Sequence, residues 1–182
     1  MVLLAHVQKS QPQKKVNKIM VVQVIKVLPE LDNIESLDFP SDHEWSIDVE
    51  VSGLGEIKES VLISRQSEVE VPSSRGTANL VFKVDKNHHA TISVVDIPKV
   101  TKSTIQREDA DSGKYTAVIG FDCRGCEVKA WRPTGFYKAR TPSGFEFDEV
   151  DLASGEWYDV EPESNLPVGI MSVKYEIETF RK

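Results

Sequence analysis

Residues 171–180 read MSVKYEIETF, and their alternation decides the fold. Met171, Val173, Tyr175 and Ile177 fall on one side of an extended chain, while Ser172, Lys174, Glu176 and Glu178 fall on the other. Successive strand side chains point to opposite faces, so this pattern predicts an antiparallel strand with one face covered and one face wet. Runs rich in β-branched residues recur upstream as IMVVQVIKVL (19–28), EWSIDVEV (44–51), ESVLIS (59–64), ANLVFKV (78–84), HATISVV (89–95), KYTAVIGFDC (114–123) and EVKAW (127–131), the composition that favours strands. No stretch of about ten residues keeps a 3.6-residue apolar period. Helices are therefore expected only as short turns, with LPELDNIESL (28–37) and ASGEWYD (153–159) the places for them. The fold class is mainly β.

Residues 1–18 hold Lys9, Lys14, Lys15 and Lys18 and no acidic residue, which reads as a basic flexible extension. Residues 19–182 form one β domain, in two strand-rich halves of about 19–100 and 115–182 packed as one globular unit. TKSTIQREDADSGK (101–114) is the polar connector between them, a long exposed loop. With 182 residues, 40% hydrophobic and 28% charged, the chain can bury a sizeable core without cross-links.

A net charge of −7 argues against a nucleic-acid partner, which selects clustered Lys and Arg. No apolar run reaches the roughly 18 residues of a membrane span, and the opening MVLLAHVQKS is too short in its apolar part for a secretory signal. The expected protein is a monomer, free of membrane, in the cytoplasm with access to the nucleus; two cysteines suit a reducing compartment. Between Thr141 and Val173 there is no Lys or Arg, while Glu146, Asp148, Glu149, Asp151, Glu156, Asp159, Glu161 and Glu163 fall there. A solvated acidic face is the plain reading of that segment. The functional reading is a docking surface for a basic protein partner, centred on Asp148, Glu149 and Asp151.

Both cysteines lie in FDCRGCEVKAW (121–131), at Cys-x-x-Cys spacing. A redox pair of this spacing places its first thiol at a helix N-terminus, but here both flanks read as strand. Residues three apart along a strand point to opposite faces with Cα atoms about 10 Å apart, beyond the reach of a disulfide, unless a tight turn at Arg124-Gly125 intervenes. A structural zinc site needs a second such pair, and the chain has none. Structural thiols are the favoured reading. Two alternatives stand beside it: a reactive Cys123 resolved by Cys126 and activated by Arg124, and a metal held by ligands such as His88 and His89. Arg124 itself reads as a bulge residue satisfied by a carboxylate, or as a partner contact. Gly76 is expected to let a turn approach a sheet. No phosphate-binding loop, serine elbow or dinucleotide fingerprint is present, so no enzymatic activity is expected.

SSRGTANLVFKV (73–84), FDCRGCEVKAWRPTGF (121–136), SGFEFDEVDL (143–152), EWYDVE (156–161) and PVGI (167–170) together resemble the eukaryotic CXXC-motif-containing zinc-binding protein family, from about Val21 to the C-terminus. The resemblance implies a β-sandwich-like arrangement. It also implies a zinc site built from two Cys-x-x-Cys pairs in the first half of the chain, distinct from Cys123 and Cys126. Laid on this sequence, those four positions are Val51 and Leu54, then Val84 and Asn87. The expectation is that zinc is lost as a cofactor, with Val51, Leu54 and Val84 forming an apolar cluster and Asn87 at its edge. The function expected from this is a non-catalytic, conserved-domain interaction module.

Overall fold

The computed structural model describes residues 21–72 and 74–181; the basic extension expected at 1–18 lies outside the described residues. Strand β1 (Val21–Asp32) leads through a turn at Asn33 into β2 (Ser36–Asp38), then β3 (Trp45–Val51) and β4 (Ile57–Ile63) make a hairpin. A short ribbon of β5 (Val69–Glu70) and β6 (Thr77–Ala78) precedes a second hairpin, β7 (Leu80–Lys83) and β8 (His89–Val95). After β9 (Thr104–Gln106) and the helical turn α1 (Arg107–Asp111) come β10 (Thr116–Arg124) and β11 (Cys126–Arg132). The chain ends through β12 (Phe136–Arg140), β13 (Glu146–Asp151), β14 (Trp157–Val160) and the long β15 (Pro167–Arg181).

Three sheets enclose the core, ordered β14-β15-β1-β10-β8-β7, β11-β3-β4 and β13-β12-β2-β9, all with antiparallel neighbours. Each contains strands from both sides of the 101–114 segment: β1 pairs β10 and β15, β3 pairs β11, and β2 pairs β12. The two halves thus share one core of Ile25, Val27, Ile47, Val49, Ile119, Phe121, Trp131 and Tyr137, all 2% exposed or less.

The six-stranded sheet carries a small apolar patch besides its face on the main core. A bulge between Ile25 and Lys26 shifts the register of β1 against β10, and Val22 and Val24 join Ile97 and Ala117 in a second small cluster. Packing there is tight. A Cβ at Gly120 would lie 2.9 Å from Val22 Cγ1 and 3.0 Å from the Val95 carbonyl oxygen. In β15, Met171 and Tyr175 remain exposed while Val173 and Ile177 pack against the main core.

The helical turns expected at 28–37 and 153–159 are instead strands joined by non-helical turns. Leu28 to Asp32 stays extended because β15 pairs along it, from Leu28 with Lys174 to Asp32 with Gly169. Residues 157–159 belong to β14, reached through a turn in which Gly155 takes φ +85°. The helical turn α1 falls in the segment expected to be loop. It starts where the Gln106 N–H donates to Asp109 Oδ2 at 3.3 Å and is held by Lys102 on Asp109 at 2.8 Å, with Ala110 buried beneath. Just before it, Ile105 is fully buried and paired with Leu37; a single apolar anchor suffices to bring a polar segment onto the sheet.

Candidate functional site

Three turns converge at one corner of the molecule. The first follows β3, where Leu54 N–H donates to the Val51 carbonyl at 3.2 Å and Gly53 and Gly55 take φ +87° and +69°, conformations open to glycine. The second joins β7 to β8. There Val84 N–H donates to the His88 carbonyl at 2.9 Å, while Asp85 Oδ1 accepts the N–H groups of Asn87 at 2.7 Å and His88 at 2.9 Å. These bonds hold the Asp85 carboxyl below its usual range, the Asn87 N–H contributing most. The third is the β10–β11 corner, where Gly125 takes φ +70°.

Direct contacts join them. Ser52 N–H donates to the Gly125 carbonyl at 3.0 Å, a Cβ at Gly53 would lie 3.5 Å from Val84 Cγ1, and one at Gly125 would lie 3.4 Å from Ala90 Cβ. Val51 is 1% exposed in the core, and Leu54, Val84, Cys123 and Cys126 pack against that core half-buried. Of the four positions that the resemblance assigns to zinc ligands, Val51 belongs to the main core and Leu54 and Val84 each pack hydrocarbon against it. Asn87 is exposed at the tip of its turn. Valine and leucine have no donor atom for a cation, and zinc takes thiolate, imidazole or carboxylate; these four residues do not fit it. His88 is exposed and paired with Asp85 at 2.7 Å, whereas His43 lies apart, 5.1 Å from the Trp45 ring and 4.6 Å from that of Tyr137. Among the described residues no group of three or more His, Cys, Asp or Glu side chains is arranged to hold a metal.

Gly125 supplies the turn between Cys123 at the end of β10 and Cys126 at the start of β11. The Cys126 S–H donates to the Thr91 carbonyl at 3.6 Å. The neighbouring Cys126 and then burial push the Cys123 thiol up, while Cys123 brings the Cys126 thiol down. Arg124 is exposed and directed to Asp122 at 3.1 Å, so it does not ease the ionisation of Cys123.

The acidic segment 146–163 is not one uniform surface. Glu161 is 2% exposed, and its carboxylate accepts hydrogen bonds from Thr141 at 3.0 Å, Ser143 and Ser164. Glu146 pairs with Arg140 and Asp148 with Lys138, while Asp151 caps the Ala153 N–H. Asp148, Glu149 and Asp151 are all exposed on β13, an edge strand of its sheet. Charge on an edge strand also discourages pairing with another chain.

Several working residues carry no periodic signal. Asn79 sits between β6 and β7 and donates to the carbonyls of Arg65 at 3.2 Å and Ser67 at 2.6 Å, while accepting from Val94 N–H at 2.7 Å. That account suits the Thr-Ala-Asn-Leu motif better than Gly76, which is exposed with no Cβ contact closer than 3.6 Å and needs no close approach to a sheet. Trp45 and Trp131 are buried and Trp157 half-buried, as packing aromatics. His43 Nε2 and Trp131 Nε1 are buried without a hydrogen-bond partner, and burial lowers the pKa of His43.

The sequence model of the family described as "CXXC motif containing zinc binding protein, eukaryotic" matches residues 24–178. A UPF0587 protein of Schizosaccharomyces pombe is 31% identical over 81% of this chain and 92% of its own. One from Dictyostelium discoideum is 27% identical over 89% of this chain and 100% of its own. A CXXC motif containing zinc binding protein of Mus musculus is 29% identical over 80% and 91%. Two solved structures share the fold. One, a hypothetical protein from Plasmodium falciparum, has a TM-score of 0.78, 23% identity and coverage of 86% and 99%; the other, C1orf123, has 0.74, 22%, and 87% and 99%.

Proposed function

Because this chain belongs to the eukaryotic family of CXXC motif containing zinc binding proteins, we propose that it is a non-catalytic protein-interaction module in which an apolar contact has replaced the structural zinc of relatives. The observation that carries this reading is the meeting of the two turns, with Val84 Cγ1 3.5 Å from the Cβ position of Gly53, while Val51 at the start of the first turn is buried in the core.

The energetics are compatible. A structural zinc contributes about 10–16 kcal/mol of apparent binding energy in small domains, and burying Val or Leu contributes about 1.5–3 kcal/mol each. Three such residues supply less than zinc does. The remainder falls to a core spread over three sheets, which positions both turns through strands paired on each side.

The face offered to a basic protein partner is the edge strand β13, through Asp148, Glu149 and Asp151, in a monomer working in the cytoplasm with access to the nucleus. Elemental analysis of the untagged chain tests the zinc half of the reading. Substoichiometric zinc is expected, and one tightly held zinc per chain that persists when His43, His88 and His89 are replaced overturns it. Reversing the three charges to lysine tests the surface. A shortened set of captured basic partners is expected, and an unchanged set removes the acidic face from the reading.

A further inference from the structure

Beyond the interaction role, the 40–44 turn is tied to the molecule by one buried side chain. Phe39 bounds it on one side, its N–H donating to the Ser103 carbonyl at 2.8 Å, and Trp45 on the other, opening β3 opposite Ile63. Between them Ser41, Asp42 and Glu44 are exposed and Pro40 is half-buried, whereas His43 is 6% exposed. The His43 N–H closes the turn on the Pro40 carbonyl at 3.0 Å. Its imidazole packs against Trp45 and Tyr137, with ring centroids 5.1 and 4.6 Å away. The β11–β12 corner lies on the ring edge, where Gly135, at φ +83°, would place a Cβ only 3.2 Å from Cε1. His43 Nε2 is buried in this nest with no hydrogen-bond partner. A neutral imidazole can carry its proton on Nδ1 and leave Nε2 bare, but a protonated one presents an N–H at both nitrogens. The second N–H would meet no acceptor here, and an unpaired buried charge is costly.

We propose that the 40–44 turn is an acid-released latch, shut while His43 is neutral and swung away from Phe39, Trp45 and Tyr137 once its ring takes a proton. Four exposed charged groups share a cleft of about 370 Å³ with His43: Asp42 and Glu44 on the turn itself, Lys138 on β12 and Asp148 on β13. Lys138 and Asp148 answer each other at 2.9 Å, which leaves the two turn carboxylates to favour the proton. The Tyr137 phenol, pushed up by burial, stays neutral and donates to the Thr134 carbonyl at 3.3 Å. Burial prevails and lowers the His43 pKa below its ordinary 6.5, against the Phe136 backbone and Asp42. The closed form therefore binds the proton less readily than the open one. Closure is complete above 6.5 and is lost as pH falls below it. Pro40 also lines a second cleft, of about 370 Å³, with Phe39, Trp45 and Val118, so release of the turn joins two clefts over an aromatic floor. The anchors at Ser103 and Ile63 confine the movement to the turn.

The test is a proton NMR titration of the untagged full chain from about pH 8 to about pH 5, with the His43 Cε1–H assigned by its contacts to the Trp45 and Tyr137 rings. His43 is expected to titrate below 6.5. Over the same range the tryptophan emission maximum should move to longer wavelength, and the amides of residues 40–44 should lose protection against deuterium exchange once the intrinsic rate at each pH is divided out. Far-ultraviolet circular dichroism should not change, and all three signals should return at pH 8. His43→Phe, with no proton to gain, should show neither the emission shift nor the loss of protection. Should Phe prove too large beside Gly135, the smaller neutral His43→Gln gives the same comparison, and the wild-type titration decides without either variant. A His43 that titrates at or above 6.5, as cation–π attraction to Trp45 and Tyr137 would produce, overturns the proposal. So does a His43 that titrates below 6.5 while the 40–44 amides keep their protection, or the same transition in a folded variant lacking His43.

Discussion

The side chain of Gln23 on β1 pairs with the backbone of Val128 on β11 as though it were a neighbouring strand. Its Nε2 donates to the Val128 carbonyl at 3.1 Å and the Val128 N–H donates to its Oε1 at 2.7 Å. β11 is an edge strand of its sheet, and an edge leaves backbone groups without ladder partners. Gln23 fills that gap and pins the six-stranded sheet to the three-stranded one. Gln23→Ala leaves both Val128 groups unsatisfied in a part-buried place, a loss of about 1–3 kcal/mol. Urea unfolding should show a lower midpoint with an unchanged slope.

Asp48 gathers all three strands of the smaller sheet. It lies on β3, receives Arg132 of β11 through Nε at 2.9 Å and Nη2 at 2.8 Å, and accepts the Ser60 N–H of β4 at 2.8 Å. Ser60 has φ +53°, a conformation that a side chain resists. Asp48→Ala is expected to destabilise by about 2 kcal/mol, through lost charge-assisted bonds. Ser60→Gly relieves the backbone and should gain a few tenths to about 1 kcal/mol. Both follow from denaturant midpoints, and a neutral Asp48→Ala would show that Arg132 and Ser60 are satisfied by water instead.

The alternation in residues 171–180 and the β-branched runs made the fold class and eight of the strands legible, because a strand's covered face is written in every second residue. The short strands β2, β9, β12, β13 and β14 escaped such reading. Their assignment rests on pairing with distant partners, as Leu37 does with Ile105 and Ala139 with Leu37, and pairing leaves no local period. At the corner, chemistry was legible and geometry was not. The spacing of Cys123 and Cys126 was visible, but that the two lie in different sheets, opposite Ile92 and Val51, depends on long-range pairing. Glu161 looked like one more surface acid, and nothing in its sequence neighbourhood separates it from Glu163.

Glu161 also sets a pH dependence. Hydrogen bonds from Ser143, Ser164 and Thr141 hold its carboxyl below the ordinary value of about 4.5, so the folded state binds this proton less readily than the unfolded chain does. The stability it contributes is full above that ordinary value and is lost as pH falls toward the depressed one. Glu161→Gln keeps the shape but places an amide donor against hydroxyl donors. The stability gap between wild type and this variant should therefore be widest near neutral pH and narrow as the solution is acidified below 4.5. A gap that stays constant from pH 7 to pH 3 would mean the carboxylate's charge contributes nothing to the staple between residues 141–143 and 161–164.

Restoring the thiols is the sharpest trial of the exchanged clip. If Val51, Leu54, Val84 and Asn87 stand where relatives hold zinc, the combination Val51→Cys, Leu54→Cys, Val84→Cys and Asn87→Cys should bind one zinc per chain. The two turns already meet, with Val84 Cγ1 3.5 Å from the Gly53 Cβ position, and Asn87 needs only its exposed turn tip to fold inward. Without metal the variant should be less stable than wild type, because the Val51→Cys change removes buried hydrocarbon from the core. With zinc its stability should exceed its own metal-free value in proportion to the logarithm of free zinc over the dissociation constant, and a chelator should reverse the gain. Zinc retained equally well by the wild-type chain would place the metal on other residues. Failure of the folded quadruple variant to bind zinc would show that the four positions do not form the ligand set.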